Sequence, residues 1–321
     1  MIDHNPDHLE FHMNAEYDYL DLLRYILEKG EDRGDRTGTG TRATFAHTLN
    51  IDLSKKFPLL TTKSVPFKSV LSELLWFIEG SGDERRLAEI LHGTRDPSKK
   101  TIWSPNAEGT SGSKFKPAYP GDLGRVYGVQ WRKWQHVKLK DAADHLSHPD
   151  GGITYFDARV LVEEVDQLKD VINKLKTNPT DRRIIMTAWN PGELSEMALP
   201  PCHMFVQFYL SNDRKLSAQM YQRSVDTFLG LPFNIASYAL LVHMIANVID
   251  AVPGTLTLNL GDTHIYSDHL DQVREQLTRA PRGLPTLKIK RKVDSIDDFT
   301  MDDFELIGYD PHPPIKARMA A

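Results

Sequence analysis

Cys202 is the only cysteine of the chain, set between Pro200–Pro201 and the apolar alternation Met204, Val206, Phe208 and Leu210. The alternation reads as a strand and the proline pair as a rigid lead-in, so the thiol is expected at the strand's mouth, held at one angle. Arg223, Ser224, Asp226 and Asn234 follow, with Gly230 and Pro232 shaping the backbone between them. A thiolate is a nucleophile, a guanidinium fork binds anions, and a carboxamide can read the hydrogen-bonding edge of a base. Together they point to covalent catalysis on a nucleotide. An isolated cysteine is more often a small buried hydrophobe; here the neighbours outweigh that reading.

Other residues are placed to assist. Glu73 sits among the apolar positions Val70, Leu71, Leu74, Leu75 and Ile78 of a helix expected over 67–78. A carboxylate on such a face is either paired, with Lys63 or Lys68, or functional with a raised pKa suited to proton transfer. Arg36 lies in a segment, 34–41, that holds three glycines and three threonines. As structure this is a flexible turn into a strand over 43–53; as function it is a mobile loop whose arginine closes on a phosphate. Arg182 and Arg183 precede an apolar strand over 184–189 and would point to opposite faces of an extended chain, so one subunit could not aim both at one anion. A solvated basic pair is the plain alternative. His264 and Tyr266, two apart after a strand over 256–260, share one face and could grip a sugar hydroxyl. Trp103 by itself reads as packing.

These residues must be carried by a sizeable fold. The chain has 321 residues, 40% hydrophobic and 26% charged, with no compositional break between domains. Helices are expected at Ala15–Lys29, stopped by Gly30, and over 67–78, 162–176, 234–248 and 268–279, with a further strand over 286–290. Residues 1–14 are expected to fray, 97–120 to form a loop with a surface insert near 108–120, and 135–152 to form a polar loop. Long helices and apolar strands without regular alternation indicate α+β. No apolar run is read as reaching the roughly 18 residues of a membrane span, and the N-terminus does not read as a signal peptide. A formal charge of −5 argues against general nucleic-acid affinity. One cysteine excludes an internal disulfide and fits a reducing, cytoplasmic compartment. No zinc spacing or Walker loop is present.

The motifs P-P-C-H at 200–203, Y-Q-R-S-V-D at 221–226, L-G-L-P-F-N-I-A-S-Y at 229–238 and G-D-T-H-I-Y at 261–266 resemble the thymidylate synthase family. So do D-R-T-G-T-G-T at 35–41, G-D-L-G-R-V-Y-G-V-Q-W-R at 121–132 and Y-D-P-H-P-P-I-K at 309–316, all in the family order. The resemblance implies one catalytic domain over 15–321, with a mixed sheet, helices on one face and a sheet-to-sheet homodimer. It implies dUMP and 5,10-methylenetetrahydrofolate as substrates, no metal and no specific DNA binding. It assigns Cys202, Glu73, Tyr127, Arg223, Asn234 and Asp226 to catalysis. To dUMP it assigns Arg36, Gln222, Arg223, Ser224, Asn234, His264 and Tyr266, with Arg182 and Arg183 reaching across the dimer. To the folate it assigns Lys63, Ile102, Trp103, Asp226, Leu229, Gly230, Phe233 and Ala321.

The implied reaction begins with addition of the Cys202 thiolate to C6 of the pyrimidine, which makes C5 nucleophilic. It ends in dTMP, and Asn234 favours uracil over cytosine because an amide can donate to O4 and accept from N3–H. Four positions depart from the family pattern: Ser64, Asp83, Ser104 and Ala321. A small terminal residue and a serine beside Trp103 are the places where water could enter, giving 5-hydroxymethyl-dUMP. A non-catalytic nucleotide- or RNA-binding homologue is the third reading, against which Cys202, Glu73, Arg223 and Asn234 stand together.

Overall fold

The computed structural model describes residues 15–109, 115–141, 144–147, 153–156 and 159–319. The expected frayed segment 1–14, the middle of the insert and Ala321 lie outside the described residues.

The chain opens on helix α1, Ala15–Lys29, which buries Tyr19, Leu20, Leu22, Leu23 and Ile26 at helical spacing. Gly30 ends it: its N–H donates to the Ile26 carbonyl at 2.9 Å, and a Cβ there would lie 2.4 Å from that oxygen. Strands β1, Glu31–Arg33, and β2, Thr41–Asp52, come next, then helices α2, Phe67–Ile78, and α3, Glu84–His92. Short helices α4, Ser104–Ala107, and α5, Gly128–Arg132, lead to strands β3, Trp134–Asp141, β4, Asp144–Ser147, β5, Ile153–Phe156, and β6, Arg159–Val165. Helix α6, Gln167–Thr177, and strands β7, Ile185–Thr187, β8, His203–Leu210, and β9, Lys215–Asp226, precede helix α7, Gly230–Val248. Strand β10, Val252–Tyr266, helix α8, Leu270–Leu277, and the pair β11, Thr286–Ile289, and β12, Phe304–Ile307, complete the order.

Six strands form one mixed sheet in the order β1-β2-β10-β9-β8-β7, with β9 and β10 parallel and the other neighbours antiparallel. Helix α1 packs on β2 and β10, and α7 on β9 and β10. Val206, Phe208, Met220, Leu256, Leu258 and Leu260 turn into a single core with these helices. On the other face Phe205 stands opposite Tyr221, and Tyr209 opposite Ser217, with all three aromatic rings exposed. The fold is α+β in one domain.

Several expectations are corrected. Residues 135–152 are not a loop over their described length: β3 pairs with β6 from Trp134↔Val165 to Asp141↔Arg159, and β4 with β5 beyond them. Val137, Val162 and Val165 on this ribbon are exposed, so these valines marked no buried face in the sequence. The helix expected from 162 begins at Gln167, because Asp166 caps it by accepting the Lys169 N–H at 3.0 Å. The helix expected from 234 begins at Gly230; Pro232 is tolerated because the first-turn N–H groups have no intrahelical partner. At 19 residues α7 is long and apolar enough to cross a membrane by length and composition, contrary to expectation, yet most of it is buried in the core. The helix expected over 268–279 is a 3-10 turn, Ser267–His269, followed by α8.

Candidate active site

Cys202 stands immediately before β8, as its proline lead-in predicts. Three hydrogen bonds join it and its proline lead-in to Arg223 on β9. The Arg223 N–H donates to the Cys202 carbonyl at 2.8 Å, Nε to the Pro201 carbonyl at 2.9 Å and Nη2 to the Pro200 carbonyl at 2.9 Å. The guanidinium also lies 5.3 Å from the Trp189 ring centroid. From the other side the Cys202 N–H donates to the Tyr127 hydroxyl at 2.7 Å. Burial pushes the thiol's pKa up, while the Arg223 charge and hydrogen bonds from Tyr127 and Ser224 work against that shift. The arginine thus favours the thiolate as expected, but burial outweighs it.

Tyr127 is the hinge between the thiol and Glu73. Its backbone is held at φ 24° just before α5, its ring stacks on Phe77 with centroids 5.1 Å apart, and the His203 ring lies 4.2 Å away. Burial, and the Cys202 charge after it, raise its pKa above the ordinary tyrosine value. His203 donates to or accepts from Tyr238 at 2.9 Å, and burial lowers its pKa to about 3, so the imidazole is neutral. The Trp103 ring meets Tyr127 edge-on at 5.7 Å. Its indole N–H donates to the Glu73 carboxylate at 2.7 Å. Burial raises the Glu73 pKa to about 7, and the indole bond opposes the rise. Lys63 does not form the alternative salt bridge: its ammonium donates to the Phe228 carbonyl and sits 3.5 Å from that ring's centroid.

The remaining residues gather around the ends of β9 and β10. Gln222 Nε2 donates to the Asn234 Oδ1 at 3.0 Å and to the Ser224 carbonyl at 3.1 Å, which sets the Asn234 amide. Its own Oε1 is buried without a partner among the described residues. Asp226 Oδ1 accepts the Phe228 and Leu229 N–H groups at 3.0 Å each, fixing the turn before Gly230. His264, paired across the sheet with Asp226, hydrogen-bonds Asp262 at 2.9 Å and meets Tyr266 edge-on at 5.2 Å. Both His264 and Tyr266 belong to β10 itself rather than to a segment after it. Burial pushes Tyr266 up to about 12, and the charges of Asp226, Asp35, Cys202 and Arg36 all reach it. Arg36 is exposed, in a loop stapled by Asp35, which accepts the Thr37 N–H at 2.9 Å and the Gly40 N–H at 2.7 Å.

Two expected residues are not brought in. Arg182 and Arg183 are exposed in a turn before β7, not on the strand, so the argument from opposite strand faces fails. Arg183 pairs instead with Asp181 at 3.0 Å. Ser104 is also not where its position suggested: it is buried, and its hydroxyl donates to Glu84 at 2.7 Å. Glu84 escaped sequence reading because the hydroxyls that satisfy it come from Thr101 and Ser104 in a distant loop.

Ile102, Leu229 and Phe233 leave apolar surface accessible beside Trp103 and Gly230. Asp226 keeps Oδ2 for a donor, and burial lowers the Lys63 pKa to about 7, a cost a ligand carboxylate would relieve. A separate cavity of about 410 Å³, lined by Glu79, Tyr119, Asp122, Arg125 and Lys133, shares none of these side chains. Among the described residues no three His, Cys, Asp or Glu side chains cluster to hold a metal ion. The family model described as Thymidylate synthase matches residues 17–321, nearly the whole chain.

Proposed function

This chain belongs to the thymidylate synthase family, and from that premise we propose that it methylates dUMP to dTMP with 5,10-methylenetetrahydrofolate. Membership carries the coarser statement, folate-dependent methylation or hydroxymethylation of dUMP. The observation supporting the finer one is the continuous path Glu73–Trp103–Tyr127–Cys202, which sets a buried acid, an indole wall and a nucleophile around one space.

Arg223, Ser224 and Arg36 take the phosphate, with Arg182 and Arg183 supplied by a partner subunit across the exposed Phe205–Tyr209–Tyr221 face. An exposed aromatic sheet face of this kind is suited to association. His264 and Tyr266 take the 3′-hydroxyl. Asn234, held by Gln222, presents its Nδ2–H to O4 of uracil. The Cys202 thiolate adds to C6, and the electron pair of the C5–C6 bond moves toward O4, leaving C5 nucleophilic. Methylenetetrahydrofolate would supply the one-carbon unit that C5 takes up and, with loss of the C5 proton and expulsion of the Cys202 thiolate from C6, the hydride that completes the methyl group, itself leaving as dihydrofolate. Asp226, Lys63, Ile102, Trp103, Leu229, Gly230 and Phe233 hold it. Glu73, with a pKa near neutrality, holds or releases a proton at the pyrimidine through the Tyr127 side of the site. The Ser104 hydroxyl is tied to Glu84, which supports dTMP over 5-hydroxymethyl-dUMP.

Mass spectrometry of the nucleotide formed from dUMP and methylenetetrahydrofolate tests this. Production of dTMP, with a dihydrofolate absorbance rise equal to the dUMP consumed, is the expected result. Hydroxymethyl product with no such rise would replace the reading.

A further inference from the structure

Glu84, at the start of α3, has a carboxylate that is almost wholly buried and enclosed by hydroxyls. Its Oε1 accepts the Thr101 hydroxyl at 2.6 Å and the Ser104 hydroxyl at 2.7 Å, and its Oε2 accepts Arg85 Nε at 2.5 Å. The two hydroxyls in turn hold backbone. Thr101 Oγ1 accepts the Trp103 N–H at 3.1 Å, and Ser104 Oγ accepts the Thr101 N–H at 2.9 Å. Arg85 carries the frame outward by donating to the Asp96 carbonyl at 2.9 Å and the Lys99 carbonyl at 3.2 Å. Both ends of the turn 101–104 thus converge on one carboxylate, and between them lie Ile102 and Trp103, whose indole meets Glu73.

We propose that Glu84 is a positioning residue for the folate side of the site, fixing the turn that sets the Trp103 indole against Glu73. A generic buried ion pair would be indifferent to which backbone it supports. Here every hydroxyl bound to the carboxylate is spent on the turn that carries Trp103 and Ile102. A buried carboxylate that accepts three charge-assisted or hydroxyl hydrogen bonds is rigid, and its loss leaves those donors unpaired. The consequence for folate rests on the function proposed above; the consequence for the indole does not.

The test compares Glu84→Ala and Glu84→Gln, alone and in the Trp103→Phe background. Glu84→Ala is expected to raise the KM for methylenetetrahydrofolate about tenfold while the KM for dUMP stays within about twofold. Glu84→Gln keeps an oxygen for both hydroxyls and recovers most of the folate affinity. In the Trp103→Phe background Glu84→Ala adds less than about twofold, because the residue it positions is gone. The emission component of Trp103, taken as unmodified protein minus Trp103→Phe, shifts to the red and becomes more quenchable by acrylamide in Glu84→Ala but not in Glu84→Gln. Should Glu84→Ala fail to fold, the double variant Thr101→Val/Ser104→Ala carries the same expectations. An unchanged Trp103 component, or multiplying effects of Glu84→Ala and Trp103→Phe on folate KM, would overturn the proposal. If the chain does not act on dUMP, the emission measurement still decides the role of Glu84.

Discussion

The indole N–H of Trp103 and the carboxylate of Glu73 meet at 2.7 Å inside the protein, with no cation beside them among the described residues. A carboxylate held by one neutral donor in an apolar surround resists ionisation. The pKa near 7 makes a prediction with a definite sign. Between about 4.5 and 7 the folded protein binds this proton more tightly than the unfolded chain does, so stability falls as pH rises through that window. Above it the penalty is on the order of 3 kcal/mol. Glu73→Gln should therefore gain thermal stability over the unmodified protein at pH 8 but not at pH 4.5, while kcat drops about 10²- to 10⁴-fold. Melting curves at the two pH values check the first part; equal differences at both would show that Glu73 does not titrate in this range.

Cys202→Ser should lower turnover by roughly 10³-fold or more, because the hydroxyl is not a comparable nucleophile. dUMP binding should survive, since Arg223 still holds the proline carbonyls and the backbone there does not depend on the sulfur. Calorimetric titration with dUMP alongside a turnover assay separates the two. Substantial turnover would exclude the covalent route.

Arg182→Ala mixed with Cys202→Ser should regain part of the lost activity once subunits exchange. The mixed dimer holds one site with both an intact thiol and an intact partner arginine. Its basis is the exposure of Arg182 in a turn whose carbonyl accepts from Gln207, partway along β8 from Cys202. No recovery after demonstrated exchange would place both arginines outside the site.

Asn234→Asp should lower kcat/KM on dUMP and raise the ratio of dCMP to dUMP use. The new carboxyl still accepts from Gln222 Nε2, but it offers the base a different edge. One mismatched edge pair costs about 1–3 kcal/mol, so a change of about 5- to 150-fold in the ratio is expected from competition assays. An unmoved ratio would mean that Asn234 does not face the base.

What could be read in the sequence followed from burial. Helices α1 and α2 were legible because their apolar residues repeat at helical spacing against one core, and β8 because period-two alternation buries Val206 and Phe208. The pair β3 and β6 was not, because Val137, Val162 and Val165 are exposed and give no one-sided pattern. Valines 162 and 165 were drawn into a helical reading by their neighbours, and only the Asp166 cap separates them from α6. In the site, the order of Cys202, Arg223 and Asn234 was visible, but the balance at the thiol was not. That balance sets burial against Arg223 and Tyr127, and Tyr127 is 75 positions away in the chain. Ser104 shows the same limit, since its place next to Trp103 hid its partner on α3.

The link between Arg223 and the proline pair has a mechanical side. Nε–H and one Nη2–H of the guanidinium already hold the carbonyls of Pro201 and Pro200, and the main-chain N–H of the same residue holds that of Cys202. The fork has only its outer edge left to offer an anion. Whatever pulls on that edge pulls on the peptide that carries the sulfur, so the two move as one stiff lever rather than as independent side chains. A ligand gripped slightly off centre would then drag the nucleophile along with it, and alignment would survive a displacement that would ruin a site built from separate parts.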